Sequence, residues 1–233
     1  MKQLDIYNLR THIVCKAKAF LDRTLEQKPI KSIISYKKEK TINDFILNLL
    51  AGKSVNLSIN SSIDLLFADM DLDDWKTDYD ALFINLTNFY NMLKDNDYEI
   101  VNSVTPFDIN YNGIIINSRY NLSVKSLKTN IIHPAIVDLS NTKYDIFFNP
   151  ISYHAQTVCD FLKDNNVFAP IVVFTTGSGK CWEYNNKRYG DIIHASINEA
   201  VIEIKSDFCG VRFGWWCRNC YYRGICGGLL GAK

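Results

Sequence analysis

The sequence predicts a mixed α/β (α+β) fold, built as one domain over residues 1–233. Three observations carry this prediction. Apolar residues recur at three- and four-residue steps near both ends of the chain. Short β-rich runs punctuated by turn residues fill the middle. The chain then closes on a cysteine cluster that follows a helical pattern. At 47% apolar and 22% charged residues, the composition excludes a disordered chain, and 233 residues suffice to bury a substantial core.

Ile6, Leu9, Ile13, Ala17 and Phe20 mark an amphipathic first helix that carries Cys15. Ile42, Phe45, Ile46 and Leu49 mark a second, which stops near Ala51-Gly52. Residues 53–80 are polar and acid-rich, and read as an acidic insert or a loosely packed helical region. Leu82, Leu86, Phe89, Tyr90 and Leu93 mark a third helix. From Tyr98 the period changes. Tyr98 to Val104, Phe107 to Asn110 and Ile114 to Val124 read as strands, with turns at Thr105-Pro106 and Asn112-Gly113. Ala135 to Leu139 is a buried strand that carries a carboxylate, Asp138. Ile151, Ala155, Val158 and Leu162 restore helical spacing. Val167 to Thr175 and Cys181 to Tyr184 flank a Gly177-Ser178-Gly179 turn and make a hairpin. Ile193, Ile197, Ala200, Val201 and Ile204 form a last helix that leads into the cysteines.

A formal charge of +1 neither demands nor excludes nucleic acid, so any such binding needs a local basic face. No stretch has the apolar length of a transmembrane helix, and Met1-Lys2-Gln3-Leu4-Asp5 lacks the apolar core of a signal peptide. The expectation is a cytoplasmic, reducing location without membrane association, where clustered thiols hold metals more often than they form disulfides. Cys217, Cys220 and Cys226 place three of the seven cysteines within ten residues. Thiolates at such spacing, with a fourth from elsewhere, suit zinc or an iron–sulfur cluster. Cys209 as the fourth ligand would make a self-contained zinc knuckle. Arg212, Arg218 and Arg223 give this region a positive bias. Trp215, Trp216, Tyr221 and Tyr222 are available either to shield a metal centre or to stack on bases.

Three further segments imitate known motifs and fail them. Thr176 to Cys181 lacks the spacing of a phosphate-binding loop, and Cys181 stands where serine or threonine is needed. Asp69 to Asp74 alternates acids like a calcium loop, but Asp74 occupies the glycine position. Glu203-Ile204-Lys205 imitates an Asp/Glu-x-Lys nuclease signature on a helix, and reads as surface charge.

Cys15 near the start, with Cys217, Cys220 and Cys226 at the end, resembles the iron–sulfur branch of the RecB-like PD-(D/E)XK nucleases. The resemblance implies a core of mixed sheet flanked by helices, its ends stapled by a [4Fe–4S] cluster on these four cysteines, with zinc as the alternative metal. The family's active-site pattern is only partly present. Asn43 stands where the family has histidine, and Gly113 to Asn117 lacks the Gly-x-x-Asp acid because Ile116 occupies its place. Asp138-Leu139-Ser140 keeps the acid of Asp/Glu-x-Lys and loses the lysine. Gln156 matches the start of Gln-x-x-x-Tyr, while Asp160 replaces the tyrosine.

Asp138 and Gln156 are therefore the candidate catalytic residues. Each has an ordinary alternative, Asp138 as a cap for the following turn and Gln156 as a solvated helix side chain. One carboxylate with neutral neighbours is a poor cage for Mg²⁺ or Mn²⁺. The implied function is binding of DNA, including single strands, or of a protein of a replication, recombination or virus assembly, with little or no hydrolysis. The alternatives are a Mg²⁺/Mn²⁺-dependent DNA exonuclease with an altered metal site, and a structural subunit of a larger assembly.

Overall fold

The first predicted helix breaks at Cys15. The computed structural model describes residues 3–24, 30–68, 72–139, 150–184 and 186–206, with positions 220, 222 and 226 of the tail. In it β1 (Gln3–Asp5) leads into α1 (Ile6–Val14), and α2 (Lys16–Thr24) follows. Between them Cys15 is extended, with φ −152° and ψ 104°. Its N–H donates to the Thr11 carbonyl at 2.8 Å, and its own carbonyl accepts from Ala19 N at 3.1 Å. Cys15 thus ends one helix and caps the next.

Three longer helices follow: α3 (Ile30–Leu50), α4 (Val55–Phe67) and α5 (Leu72–Asp95). Gly52, at φ 78°, supplies the left-handed residue just beyond α3. Within residues 53–80, the stretch read as an acidic insert or a loosely packed helical region, α4 is a packed helix. Ile59, Ile63, Leu66 and Phe67 of α4 pack into the same apolar cluster as Ile42 and Phe45 of α3 and Leu82 and Phe89 of α5. Part of the polar look of this stretch comes from Ser58 and Ser62, both buried. Their hydroxyls donate to the carbonyls four residues back at 2.9 and 2.7 Å, so serine is satisfied within the helix core.

The strands are β2 (Tyr98–Asn102), β3 (Thr105–Tyr111), β4 (Ile114–Tyr120), β5 (Leu122–Ser126), β6 (Ile132–Asp138), β7 (Val172–Thr175) and β8 (Lys180–Glu183). Helix α6 (Pro150–Asp164) joins β6 to β7, and α7 (Asn186–Lys205) follows β8. Asn112 and Gly113, at φ 50° and 82°, make the two-residue β3–β4 turn. Two sheets result, ordered β1-β4-β3 and β2-β5-β6-β7-β8. β1 runs parallel to β4 and β6 parallel to β7, with the other pairs antiparallel.

The single run expected from Ile114 to Val124 is divided at Asn121, where the chain crosses from one sheet to the other. Asn121 is buried; its N–H donates to the Ala135 carbonyl and its Oδ1 accepts from Val137 N, each at 2.9 Å. The asparagine side chain thus stands in for ladder bonds lost at the bend.

The five-stranded sheet lies between two helical layers. Ile136 and Val173 belong to the core with α1, α6 and α7, whereas Ala135, Val137, Val172 and Phe174 face the core with α3, α4 and α5. Both faces of β6 and β7 are covered, which is why these strands read as unbroken apolar runs. The mixed α/β class predicted from sequence holds. No helix among the described residues is long and apolar enough to cross a membrane.

Candidate functional site

Asp138 ends β6, on the edge where the parallel β6–β7 pair finishes. Its backbone carbonyl accepts from Thr176 N at 3.0 Å and from the Thr176 hydroxyl at 3.1 Å, locking the two strand ends together. Its side chain is buried, and Oδ1 accepts from Nη2 of Arg10 on α1 at 3.3 Å. A guanidinium therefore stands beside the acid that the sequence resemblance singled out. Ile116, where the resemblance would call for an acid, is fully buried in the core, and the Asn117 amide donates to Asp108 at 2.7 Å.

A second arginine and a histidine join Arg10. The Tyr7 ring has Arg10 Cζ 5.5 Å and Arg119 Cζ 4.8 Å from its centroid. His154 on α6 packs edge-on against the same ring, with centroids 6.4 Å apart. Its Nε2–H donates to the Arg119 carbonyl at 2.5 Å, which leaves Nδ1 as a bare acceptor; that atom is buried and has no hydrogen-bond partner. Burial, reinforced by the positive charge of Arg10, pushes His154 down to about 3, so the ring is neutral. Asp5, which caps α1 by accepting from Tyr7 N at 2.8 Å, shifts the other way. Burial raises its carboxyl, and the Arg119 and Arg10 charges only partly pull it back.

Gln156 belongs to a different network. It lies two residues from His154 on α6, about 200° around the helix, and so projects from a different side. It is buried rather than solvated. Its Oε1 accepts from the Tyr184 hydroxyl at 2.9 Å and its Nε2 donates to Asp160 at 2.7 Å. Asp160 also accepts from the Tyr111 hydroxyl at 2.5 Å and from His194 Nδ1 at 2.9 Å. Burial first, then the Asp160 charge, drives the Tyr111 hydroxyl upward, so it remains a donor. Cys159 beside it is pushed up to about 12 by burial and the same carboxylate, and Cys181 to about 11 by burial and Glu183; both are inert thiols.

Sequence reasoning missed Arg10 and His194 as partners. The one available signal was Asp160 itself, four residues after Gln156 and so on the same helical face.

Among the described residues, no group of three or more His, Cys, Asp or Glu side chains is arranged to hold a metal ion. Cys217, Arg212, Arg218 and Arg223 lie outside the described residues, as does Cys209. Cys15, Cys220 and Cys226 lie within them. Cys15 is buried at the start of α2, where the Lys18 N–H donates to its sulfur at 3.5 Å. The partial positive charge of a helix N-terminus and an N–H···S bond both suit a thiolate ligand.

The α1–α2 junction is braced by Glu203 of α7. Its Oε2 lies 3.0 Å from His12 Nε2, and its Oε1 pairs with Lys16 Nζ. Burial pushes the Glu203 carboxyl up, but bonds and charges from Lys16 and His12 outweigh that and hold it below its usual range. Glu203 is thus an internal brace rather than surface charge. Lys205 likewise reaches the Asn112 carbonyl at 3.2 Å.

Tyr222 reaches α2. The buried Tyr222 donates its hydroxyl to Asp22 of α2 at 2.7 Å, and Cys226 N donates to the Tyr222 carbonyl at 2.8 Å. Cys220 and Cys226 therefore flank a residue anchored on the helix that Cys15 begins. Thiols are the soft ligand type that zinc and iron–sulfur clusters take, yet Cys15, Cys220 and Cys226, all described, are not arranged as a metal-holding group.

No family model matches the chain, and no curated protein matches it. It is similar to a solved structure described as "Crystal structure of SSO0001", at TM-score 0.42 and 13% identity, covering 85% of this chain and 96% of that one. The α/β architecture accordingly rests on the strand order and packing described above.

Proposed function

We propose that this chain is a RecB-like nuclease-fold protein whose start and tail are joined by a metal centre on Cys15, Cys217, Cys220 and Cys226. It binds DNA or a DNA-processing partner and hydrolyses little or none. The observation that carries the proposal is the Arg10–Asp138 pair. Phosphodiester hydrolysis needs several hard oxygen ligands converging on Mg²⁺ or Mn²⁺. Here Asp138 already has a guanidinium for its counter-charge. Bound at the four thiols, a [4Fe–4S] cluster or zinc supplies a crosslink between the two ends of the fold.

Anaerobic purification tests the metal part, with iron, sulfide and zinc measured in wild type and in Cys15→Ala. Iron with sulfide, lost in the variant, is the expected result; zinc without sulfide favours the alternative metal. Incubation with single-stranded and duplex DNA in Mn²⁺ tests the rest. Binding without degradation is expected, and degradation abolished by Asp138→Ala would overturn it in favour of an exonuclease.

A further inference from the structure

We propose that the end of the five-stranded sheet opposite Asp138 is an interface through which this chain pairs with a second copy of itself. β6 and β7 run parallel, so the turn that leads into β6 and the segment that leads into β7 both lie at that end. Both carry apolar side chains into water. Phe168 is 85% exposed and Leu127 60%, and Ile131, Ile132 and Val167 are each about half exposed. Single apolar residues scattered over a surface are ordinary, but a group of them on two adjoining segments makes a patch.

Neither segment is loose. After α6, Asn166 is left-handed at φ 58°; its N–H donates to the Lys163 carbonyl at 3.0 Å, and Val167 N donates to the Leu162 carbonyl at 2.8 Å. This double closure fixes the direction in which Val167 and Phe168 leave the helix. Before β6, Asn130 is left-handed at φ 62° and its N–H donates to the Ser126 carbonyl at 2.8 Å. Ser126 N donates in turn to the Ile131 carbonyl at 2.9 Å. The apolar side chains are thus presented on backbone that is already ordered, so pairing costs little further ordering there.

Area and charge point to a second copy as the occupant. At these exposures the five side chains offer roughly 400 Å² of apolar surface. A stable interface takes about 800 Å² from each partner, about 60% of it apolar, so the patch supplies most of the apolar part of one half. The rim carries both signs. Lys128 and Asp97 form an exposed pair at 3.0 Å, and Lys163 and Asp164 are exposed at the end of α6. Around a two-fold axis such a patch faces itself, and mixed charges find opposite partners where a single sign would repel. An anionic membrane calls instead for a uniformly basic rim. With a formal charge of +1, two copies repel each other little.

Sedimentation velocity of the full chain between about 1 and about 100 μM tests the interface, and a concentration-dependent dimer is expected. Phe168→Asp places a charge in the patch and raises the dimer dissociation constant about thirtyfold or more, and Ile132→Lys does the same. Both side chains are exposed, so circular dichroism spectra and melting curves stay those of wild type. Leu65→Asp, on an exposed position of α4 outside the patch, leaves the dimer unchanged.

A monomer throughout that range overturns the proposal and leaves the patch to a different protein. A dimer as tight in Phe168→Asp and Ile132→Lys as in wild type overturns it too, by placing the interface elsewhere. Neither result touches the metal and DNA experiments above, which read a different end of the sheet.

Discussion

Arg10 and Asp138 lie 128 positions apart and meet at 3.3 Å with both side chains largely buried, 14% and 7% exposed. Breaking a buried pair leaves an uncompensated charge, whereas replacing both partners by apolar groups need not cost much. Arg10→Ala is therefore expected to lower stability by about 3 kcal/mol. The double replacement Arg10→Met with Asp138→Leu should recover most of that loss. Urea denaturation of wild type, Arg10→Met, Asp138→Leu and the double variant gives the coupling, and strictly additive losses would show that the pair does not act as a unit.

His154 makes stability depend on pH. Its folded value is depressed to about 3 from an ordinary 6.5, so the unfolded chain takes up a proton that the folded chain refuses. Stability is fully present above about 6.5, and falls as the solution is acidified from there toward 3. His154→Gln removes this slope while keeping a donor for the Arg119 carbonyl. Thermal melts between neutral pH and pH about 4 should show a steeper decline for wild type than for the variant. Parallel curves would contradict the buried neutral ring.

Glu203 braces the junction at Cys15 through His12 and Lys16. Glu203→Ala leaves the nearly inaccessible His12 Nε2 without this acceptor, at a cost of about 1–3 kcal/mol. Glu203→Gln retains an acceptor and should lose less. Differential scanning calorimetry ranks the three proteins, and Glu203→Gln falling below Glu203→Ala would refute the brace.

Gln156 bridges Tyr184 and Asp160 in the interior. Gln156→Leu strands a buried hydroxyl and removes one donor from Asp160, a loss of about 2 kcal/mol. DNA affinity in a filter-binding assay should not move, since the side chain does not face solvent. A variant of unchanged stability that loses DNA binding would restore Gln156 as a substrate contact.

Arg212, Arg218 and Arg223 are tested through salt. If each neutralises one phosphate, replacing it by alanine lowers the log–log salt slope of DNA affinity by about 1. Equal affinities at all salt concentrations for wild type and the triple variant would move the binding surface elsewhere, or point to a protein partner.

Much of the architecture was legible locally. The apolar run at Ala135–Val137 announced a strand buried on both faces, and Gly177-Ser178-Gly179 announced the β7–β8 turn. Two local readings failed for identifiable reasons. Apolar spacing through Cys15 gave no sign that the backbone there turns extended, because an N-cap changes dihedral angles without breaking the periodicity. Buried Ser58 and Ser62 made α4 look polar, because their hydroxyls bond to the helix's own carbonyls.

What the chain determined by itself was the order of helices and strands, the double-faced central strands and the supply of thiols at its end. These follow from periodicity and turn chemistry, which act over a few residues. Tertiary structure alone decided that Arg10 serves Asp138, that Glu203 serves the junction at Cys15, and that Tyr222 finds Asp22. A charged or hydroxyl side chain has many eligible partners in 233 residues. Only packing, by burying one pair together, makes leaving them apart too costly.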